Sequence, residues 1–200
     1  MKRPLRLGIL GSGKGSNFRA IMEQIVDGRL NAEARIVISD VENSGILTLA
    51  YEYHVPGLYV RPGRFRTKLE PEIEEDIVQL LRDADVELVV LAGFMRVVKQ
   101  PFLCAFPRRI INIHPSLLPK YRGLQAWKQA LEAGETETGC TVHYVTPAVD
   151  AGEILGQARV PIEAGDTPES LHARIQRSEH RLLPAVIAKI AAEVSGLEAP

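Results

Sequence analysis

The sequence predicts an α/β fold: one open twisted sheet, mostly parallel, with antiparallel strands in its C-terminal half and helices on both faces. Three observations predict it. In the first half, short β-branched apolar runs alternate with helical periodicity, the pattern of parallel strands joined by crossover helices. In the second half, two strand-like runs are joined by a turn around Asp150-Ala151-Gly152, as in an antiparallel pair. The chain of 200 residues, 46% hydrophobic and 24% charged, is large enough to bury a core without disulfides or metals.

The elements follow in order. Leu5-Arg6-Leu7-Gly8-Ile9-Leu10 reads as the first strand, and the glycine-rich segment Gly11 to Asn17 as the turn after it. Phe18, Ile21, Met22 and Ile25 then share one helical face, stopped by Gly28. Residues 34–38 read as a second strand ending at Ser39-Asp40. The stretch through Pro56-Gly57 and Pro62-Gly63 is poorly patterned, with Leu58-Tyr59-Val60 a short strand between them. Residues 69–82 read as a helix, 88–91 as a buried strand ending at Ala92-Gly93, and 110–113 as another. Residues 125–133 read as a helix stopped by Gly134, and 141–145 and 154–160 as strands. Asp166-Thr167-Pro168-Glu169 is a helix start, capped by Thr167 or Asp166. That helix is expected to run into the 190s, with a kink or break near Pro184. With no repeat, low-complexity segment or linker, a single Rossmann-like domain is expected over residues 1–200, its two halves meeting near residue 110.

A formal net charge of -1 gives no general attraction to nucleic acid. Cys104 and Cys140 stand far apart in no recognisable spacing, which fits buried thiols in a reducing compartment better than a disulfide frame or zinc cluster. The N-terminus, Met1-Lys2-Arg3-Pro4, is basic, but the apolar stretch behind it is short and soon interrupted by glycines, unlike a signal peptide. No apolar run is long enough to span a membrane. A cytoplasmic location without nucleic-acid or membrane partners is the expectation.

Four segments carry chemistry. Gly13, Lys14, Gly15, Ser16 and Asn17 sit between a strand and a helix, where close backbone approach and unpaired helix amides suit a phosphate; a tight turn alone is the alternative. The spacing G-x-G-x-x-G is not met from Gly11. A P-loop also fails, because Gly15 stands where a magnesium-binding Ser or Thr belongs and Gly8 falls inside the strand. In Asn112-Ile113-His114-Pro115-Ser116-Leu117-Leu118-Pro119, strand alternation points Asn112 and His114 to one face at the C-terminal end, where ligands sit in open α/β sheets. An amide that donates to a developing oxyanion and an imidazole that shuttles a proton suit acyl transfer. Asp150 is ordinary turn chemistry or a carboxylate that orients an imidazole. Gln176 and Glu179 share a helix face that reads by default as solvated. His143 could join His114 and Asp150 around a metal, but no local motif supports this, so a core or surface histidine is expected and no metal.

Taken in order, these segments resemble the glycinamide ribonucleotide formyltransferase family. The matches are Ser12-Gly13-x-Gly15-Ser16-Asn17, Leu91-Ala92-Gly93-Phe94-Met95-Arg96, Asn112 to Pro119, Tyr121-Arg122-Gly123-Leu124, Gly139-Cys140-Thr141-Val142-His143, Val149-Asp150-x-Gly152 and Ser178-Glu179-His180. The resemblance implies transfer of a formyl group from 10-formyltetrahydrofolate, a co-substrate, to the amine of glycinamide ribonucleotide in purine (IMP) biosynthesis. It implies a catalytic trio of Asn112, His114 and Asp150. It assigns Gly13, Lys14, Gly15, Ser16 and Asn17 to the substrate phosphate, with Gln176 and Glu179 near the ribonucleotide. It assigns Leu91, Met95, Arg96, Val97, Val98 and Asn112 to the folate, with one of Arg61, Arg64 and Arg66 at its tail, Arg66 favoured. Residues from about 1 to 110 would then be the phosphate-binding half, and those from about 111 to 200 the catalytic and folate-binding half. The loop after Gly123 carries Gln125-Ala126-Trp127 where some relatives have histidines, so no role is assigned there.

Among formyl-handling relatives, methionyl-tRNA formyltransferases carry a second tRNA-binding domain, formyltetrahydrofolate hydrolases carry a regulatory domain ahead of the core, and folate-dehydrogenase relatives carry a large appended domain. None is expected in a chain whose first strand begins at Leu5 and which ends soon after its last helix. The phosphate loop argues against a stand-alone hydrolase, and the intact trio argues against a sensor without turnover. A monomer and a homodimer both remain open.

Overall fold

The computed structural model describes residues 3–197; Met1 and Lys2 of the basic N-terminus and the last three residues lie outside the described part. Seven strands form one sheet in the order β3-β2-β1-β4-β5-β6-β7. They are β1 (Leu5–Leu10), β2 (Ala32–Ser39), β3 (Gly57–Tyr59), β4 (Leu88–Leu91), β5 (Ile110–His114), β6 (Glu137–Tyr144) and β7 (Ile154–Pro161). The first five run parallel. β6 pairs antiparallel with β5, and β7 with β6. The expected fold class is therefore the observed one. From β1 the chain first builds outward through β2 and β3, then returns to lay β4 on the other side of β1. The crevice beyond the ends of β1 and β4 is thus the topological switch point, where such sheets place their ligands.

The helices are α1 (Ser16–Val26), α2 (Gly45–Glu52), α3 (Pro71–Asp83), α4 (Gln100–Ala105), α5 (Ala126–Glu132) and α6 (Pro168–Leu197). Alternation along the strands feeds two cores. Leu5, Leu7, Ile9, Leu88 and Val90 pack with Phe18, Ile21, Leu171, Ile175 and Ile187 on one face. Leu10, Val89, Leu91 and Ile110 pack with Ile77, Leu81 and Phe102 on the other. Two helices are not predicted by the sequence: α2, short, mostly apolar and opening on Gly45, and the short α4, whose first turn holds Pro101. β1 and β4 keep their expected limits and β3 is shifted by one residue, while β2, β5 and β7 run slightly longer and β6 starts four residues earlier, where pairing outlasts the apolar run. α6 begins with a reciprocal cap, in which Thr167 N–H donates to Ser170 Oγ (3.0 Å) and Ser170 N–H to Thr167 Oγ1 (3.2 Å). It is unbroken at Pro184, because Leu183, Val186 and Ile187 seat both of its halves in the same core.

Candidate active site

Two loops and one strand end meet at the switch point. In the loop after β1, Gly15 caps α1 with a left-handed φ of 77°, and a Cβ there would stand 2.8 Å from Ile46 Cα. Only glycine fits such a turn packed so closely on α2. Arg19 is the first residue of α1 whose N–H reaches back, to Gly15 O (2.9 Å). The amides ahead of it lack an intrahelical partner and are free to meet an anion. Asn17, in that first turn, is buried. Its Nδ2 donates to Glu179 Oε2 on α6 (2.9 Å), while its Oδ1 is buried with no partner. Burial pushes the Glu179 carboxyl above the usual carboxylate range, and the bond from Asn17 offsets this only in part. Glu179, expected by default on a solvated face, thus lies inside, because α6 packs against α1 there. Gln176 is half-buried one turn earlier.

At the end of β5, Asn112 and His114 project to one face as alternation predicts. The antiparallel register sets Asn112 opposite His143 of β6. His143 Nδ1–H donates to Tyr144 O (2.9 Å), and its Nε2 stands 3.3 Å from Asn112 Nδ2. The loop between β6 and β7 brings Asp150 to both rings, its Oδ2 3.4 Å from His114 Nδ1 and its Oδ1 3.5 Å from His143 Nε2. Gly123 N–H donates to Asp150 Oδ2 (2.9 Å), and His114 Nε2–H donates to Tyr121 O (2.8 Å). Asp150 adopts φ 48°, a left-handed conformation that Asp tolerates better than most residues.

Electrostatics differ between the two partners. Burial holds His114 below the usual imidazole range, outweighing the opposite pull of Tyr121 O and the Asp150 charge. Burial alone would raise the Asp150 carboxyl. The contacts from His143, Gly123 N–H and His114 overcome it and hold the carboxyl below its ordinary range. All four side chains line a cavity of about 780 Å³, the size of a site for a drug-sized ligand.

The family model described as formyl transferase matches residues 5–187. This chain belongs to the formyl transferase family. It is 36% identical over 185 residues to the phosphoribosylglycinamide formyltransferase of Bacillus subtilis (strain 168), covering 92% of this chain and 94% of that one. It is 44% identical over 188 residues to the trifunctional purine biosynthetic protein adenosine-3 of Drosophila pseudoobscura pseudoobscura, covering 93% of this chain but spanning only 14% of that relative's length. Among solved structures, glycinamide ribonucleotide transformylase 1 from Symbiobacterium toebii superimposes with a TM-score of 0.91 at 43% identity, covering 95% of this chain and 89% of that one.

Most of the residues that the resemblance assigns to the folate line this cavity. Leu91, Met95, Arg96, Val97 and Val98 line the cavity beside Asn112. Arg66 does not line it; it is exposed next to Thr67, which does. Arg64 is engaged by Glu70 (2.8 Å) and lies over the Phe65 ring. Two residues without an expected role belong to the cavity. Trp127 stacks on His172 with centroids 3.8 Å apart, and His143 is buried yet faces the trio. The cross-strand register, once drawn, is the signal that finds His143. Among the described residues no helix is long and apolar enough to cross a membrane, and no group of three or more His, Cys, Asp or Glu side chains is placed to hold a metal.

Proposed function

We propose that this chain transfers the formyl group of 10-formyltetrahydrofolate to the amine of 5-phosphoribosylglycinamide, giving formylglycinamide ribonucleotide and tetrahydrofolate. The observation that carries this reading is the convergence of Asn112, His114 and Asp150 on one cavity. That cavity shares the Gly93–Arg96 loop with the amide-lined turn after β1. The names of the relatives above support it.

The amine nitrogen attacks the formyl carbon, and the carbonyl electron pair moves onto oxygen. Collapse of that tetrahedral intermediate breaks the bond to folate N10, and the proton lost by the amine is regained at N10. Asn112 Nδ2–H holds the formyl oxygen. His114 faces an acceptor from each ring nitrogen, Tyr121 O and Asp150 Oδ2, and only the imidazolium satisfies both. Burial keeps the ring neutral before reaction, so the oxyanion that forms beside it supplies the missing reason to take up a proton. Asp150, held ionised, orients that ring and relays the amine proton. Losing the Asn112 donor to the oxyanion would raise the barrier by about 3 kcal/mol.

Gly13, Lys14, Gly15, Ser16 and Asn17 hold the substrate phosphate. Asn17 Oδ1, buried without a partner, accepts from a ligand hydroxyl or N–H, and Gln176 and Glu179 flank the ribose. Leu91, Met95, Val97 and Val98 cover the pterin, and Arg66 reaches the folate tail. The chain works as one domain on small molecules, in the cytoplasm, as a monomer or homodimer.

The test is the absorbance change as a 10-formylfolate loses its formyl group, with and without glycinamide ribonucleotide, in the wild type and His114→Ala. Deformylation that requires the ribonucleotide and collapses in the variant is expected. Equal deformylation without the ribonucleotide would make the chain a hydrolase. Tight folate binding with no deformylation would make it a sensor.

A further inference from the structure

A partly buried network ties the loop after β1 to the loop after β4. Ser12 stands between them. Its amide donates to Gly93 O (3.0 Å), and its hydroxyl accepts from Met95 N–H (2.9 Å) and donates to Asp40 Oδ1 (2.5 Å). Asp40, just past the end of β2, receives Arg96 Nε on its other oxygen (2.7 Å), and Arg96 also donates to Phe65 O. The Asp40 and Arg96 side chains are only 4% and 15% exposed. Neither Ser12 nor Asp40 lines the cavity, whereas Gly93, Met95 and Arg96 do.

A carboxylate gripped at both oxygens is directional, and a buried ion pair that loses one member leaves the other uncompensated. The loop that begins at Ser12 and the loop that carries Arg96 therefore do not shift independently. On the functional reading above, the first holds the phosphorylated substrate and the second covers the pterin. We infer that Asp40 is a positioning residue that couples the two substrate pockets. A ligand that orders one loop lowers the ordering cost of the other, so ribonucleotide and folate bind with positive linkage. The guanidinium of Arg96, bound to Asp40 and Phe65 O, serves this strut rather than the folate.

Trp127, the single tryptophan, lines the cavity and reports occupancy by its fluorescence. The probe is a folate analogue with carbon in place of N10, titrated into the full chain with and without saturating glycinamide ribonucleotide. In the wild type the ribonucleotide is expected to tighten analogue binding by about 5-fold or more, the usual lower bound of such coupling. Asp40→Asn keeps an acceptor for Ser12 but loses the charge that faces Arg96, and is expected to bring that ratio close to one. Ser12→Ala, the milder change, is expected to lower the ratio with a smaller effect on the melting temperature. A ratio of one in the wild type overturns the inference. So does an unchanged ratio in both variants, even where both affinities fall, since that is what a merely structural role produces. An analogue that fails to bind the wild type under either condition overturns the functional reading itself, and the coupling with it.

Discussion

Two carboxylates of this protein, Glu179 buried and Asp150 half-buried, are shifted in opposite directions although burial pushes both upward. Glu179 meets one neutral donor, Asn17 Nδ2, and is pushed toward its protonated form. Asp150 meets two imidazoles and a backbone N–H, and is held ionised. Burial sets the cost of a charge; the number and kind of donors decide whether the charge is kept. The two corners divide accordingly. The corner between α1 and α6 holds Asn17 Oδ1, buried without a partner, and the cavity corner offers a standing negative charge to two histidines.

The largest expected effect comes from erasing that standing charge. Asp150→Asn keeps the shape and an acceptor for Gly123 N–H, and should lower kcat by roughly 100-fold or more, as loss of an electrostatic partner at a reacting centre does. Because Asp150 raises the affinity of His114 for a proton, the variant should also shift His114 titration, followed by ring NMR signals, to lower pH. An unmoved titration would mean that the 3.4 Å approach carries no charge coupling.

Next comes Asn17→Ala, which strips Glu179 of its one side-chain donor among the described residues. It should cost about 1–3 kcal/mol in a denaturant melt at neutral pH, the cost of an unsatisfied buried polar group. The loss should shrink in the Glu179→Gln background, where no charge is stranded. Glu179→Gln alone should do two things at once. It should raise KM for the ribonucleotide, and it should stabilise the neutral-pH protein by about 1 kcal/mol, a few degrees in Tm, the exchange expected where a site carries strain for its ligand. The sign follows from the raised pKa. The contribution of Glu179 to stability is full below its ordinary value of 4.5 and is lost as pH rises through the folded value, so the advantage of the variant should vanish toward pH 4.5.

The smallest effect is general. His114, His172 and His180 all hold protons less tightly than their ordinary value of 6.5 because they are buried. Below that value the unfolded chain binds protons that the folded one refuses, so Tm should decline steadily from pH 7 to pH 5. A flat profile over that interval would show that these rings are solvated in solution.

The parts legible in the sequence were those in which neighbours along the chain do the work. The strand, glycine turn and helix from Leu5 to Val26 rest on local periodicity and a turn that demands Gly15. Asn112 and His114 share a face because alternation is a property of one strand. What was missed depends on pairing across the sheet or between helices. His143 enters the site through the β5–β6 register, 31 residues from Asn112. Glu179 became an interior group because α6 lies on α1, which the i, i+3 spacing with Gln176 does not reveal. Helix α2 escaped because eight residues with few polar side chains, Thr48 and Glu52 among them, make too short and too apolar a run for its face to stand out. Pro184 was expected to disturb α6, and the core on either side kept the helix whole.

The left-handed backbone at Asp150 narrows the routes by which this chain could be changed. Asn and Gly are the residues that accept that turn as readily as Asp, whereas the longer acid, Glu, would strain it. If Asp150 acts as proposed above, a random search around this position would reach well-folded, inactive proteins first. An alternative acid would have to arrive together with a rebuilt loop, so the identity of this one carboxylate is guarded by conformation as much as by chemistry.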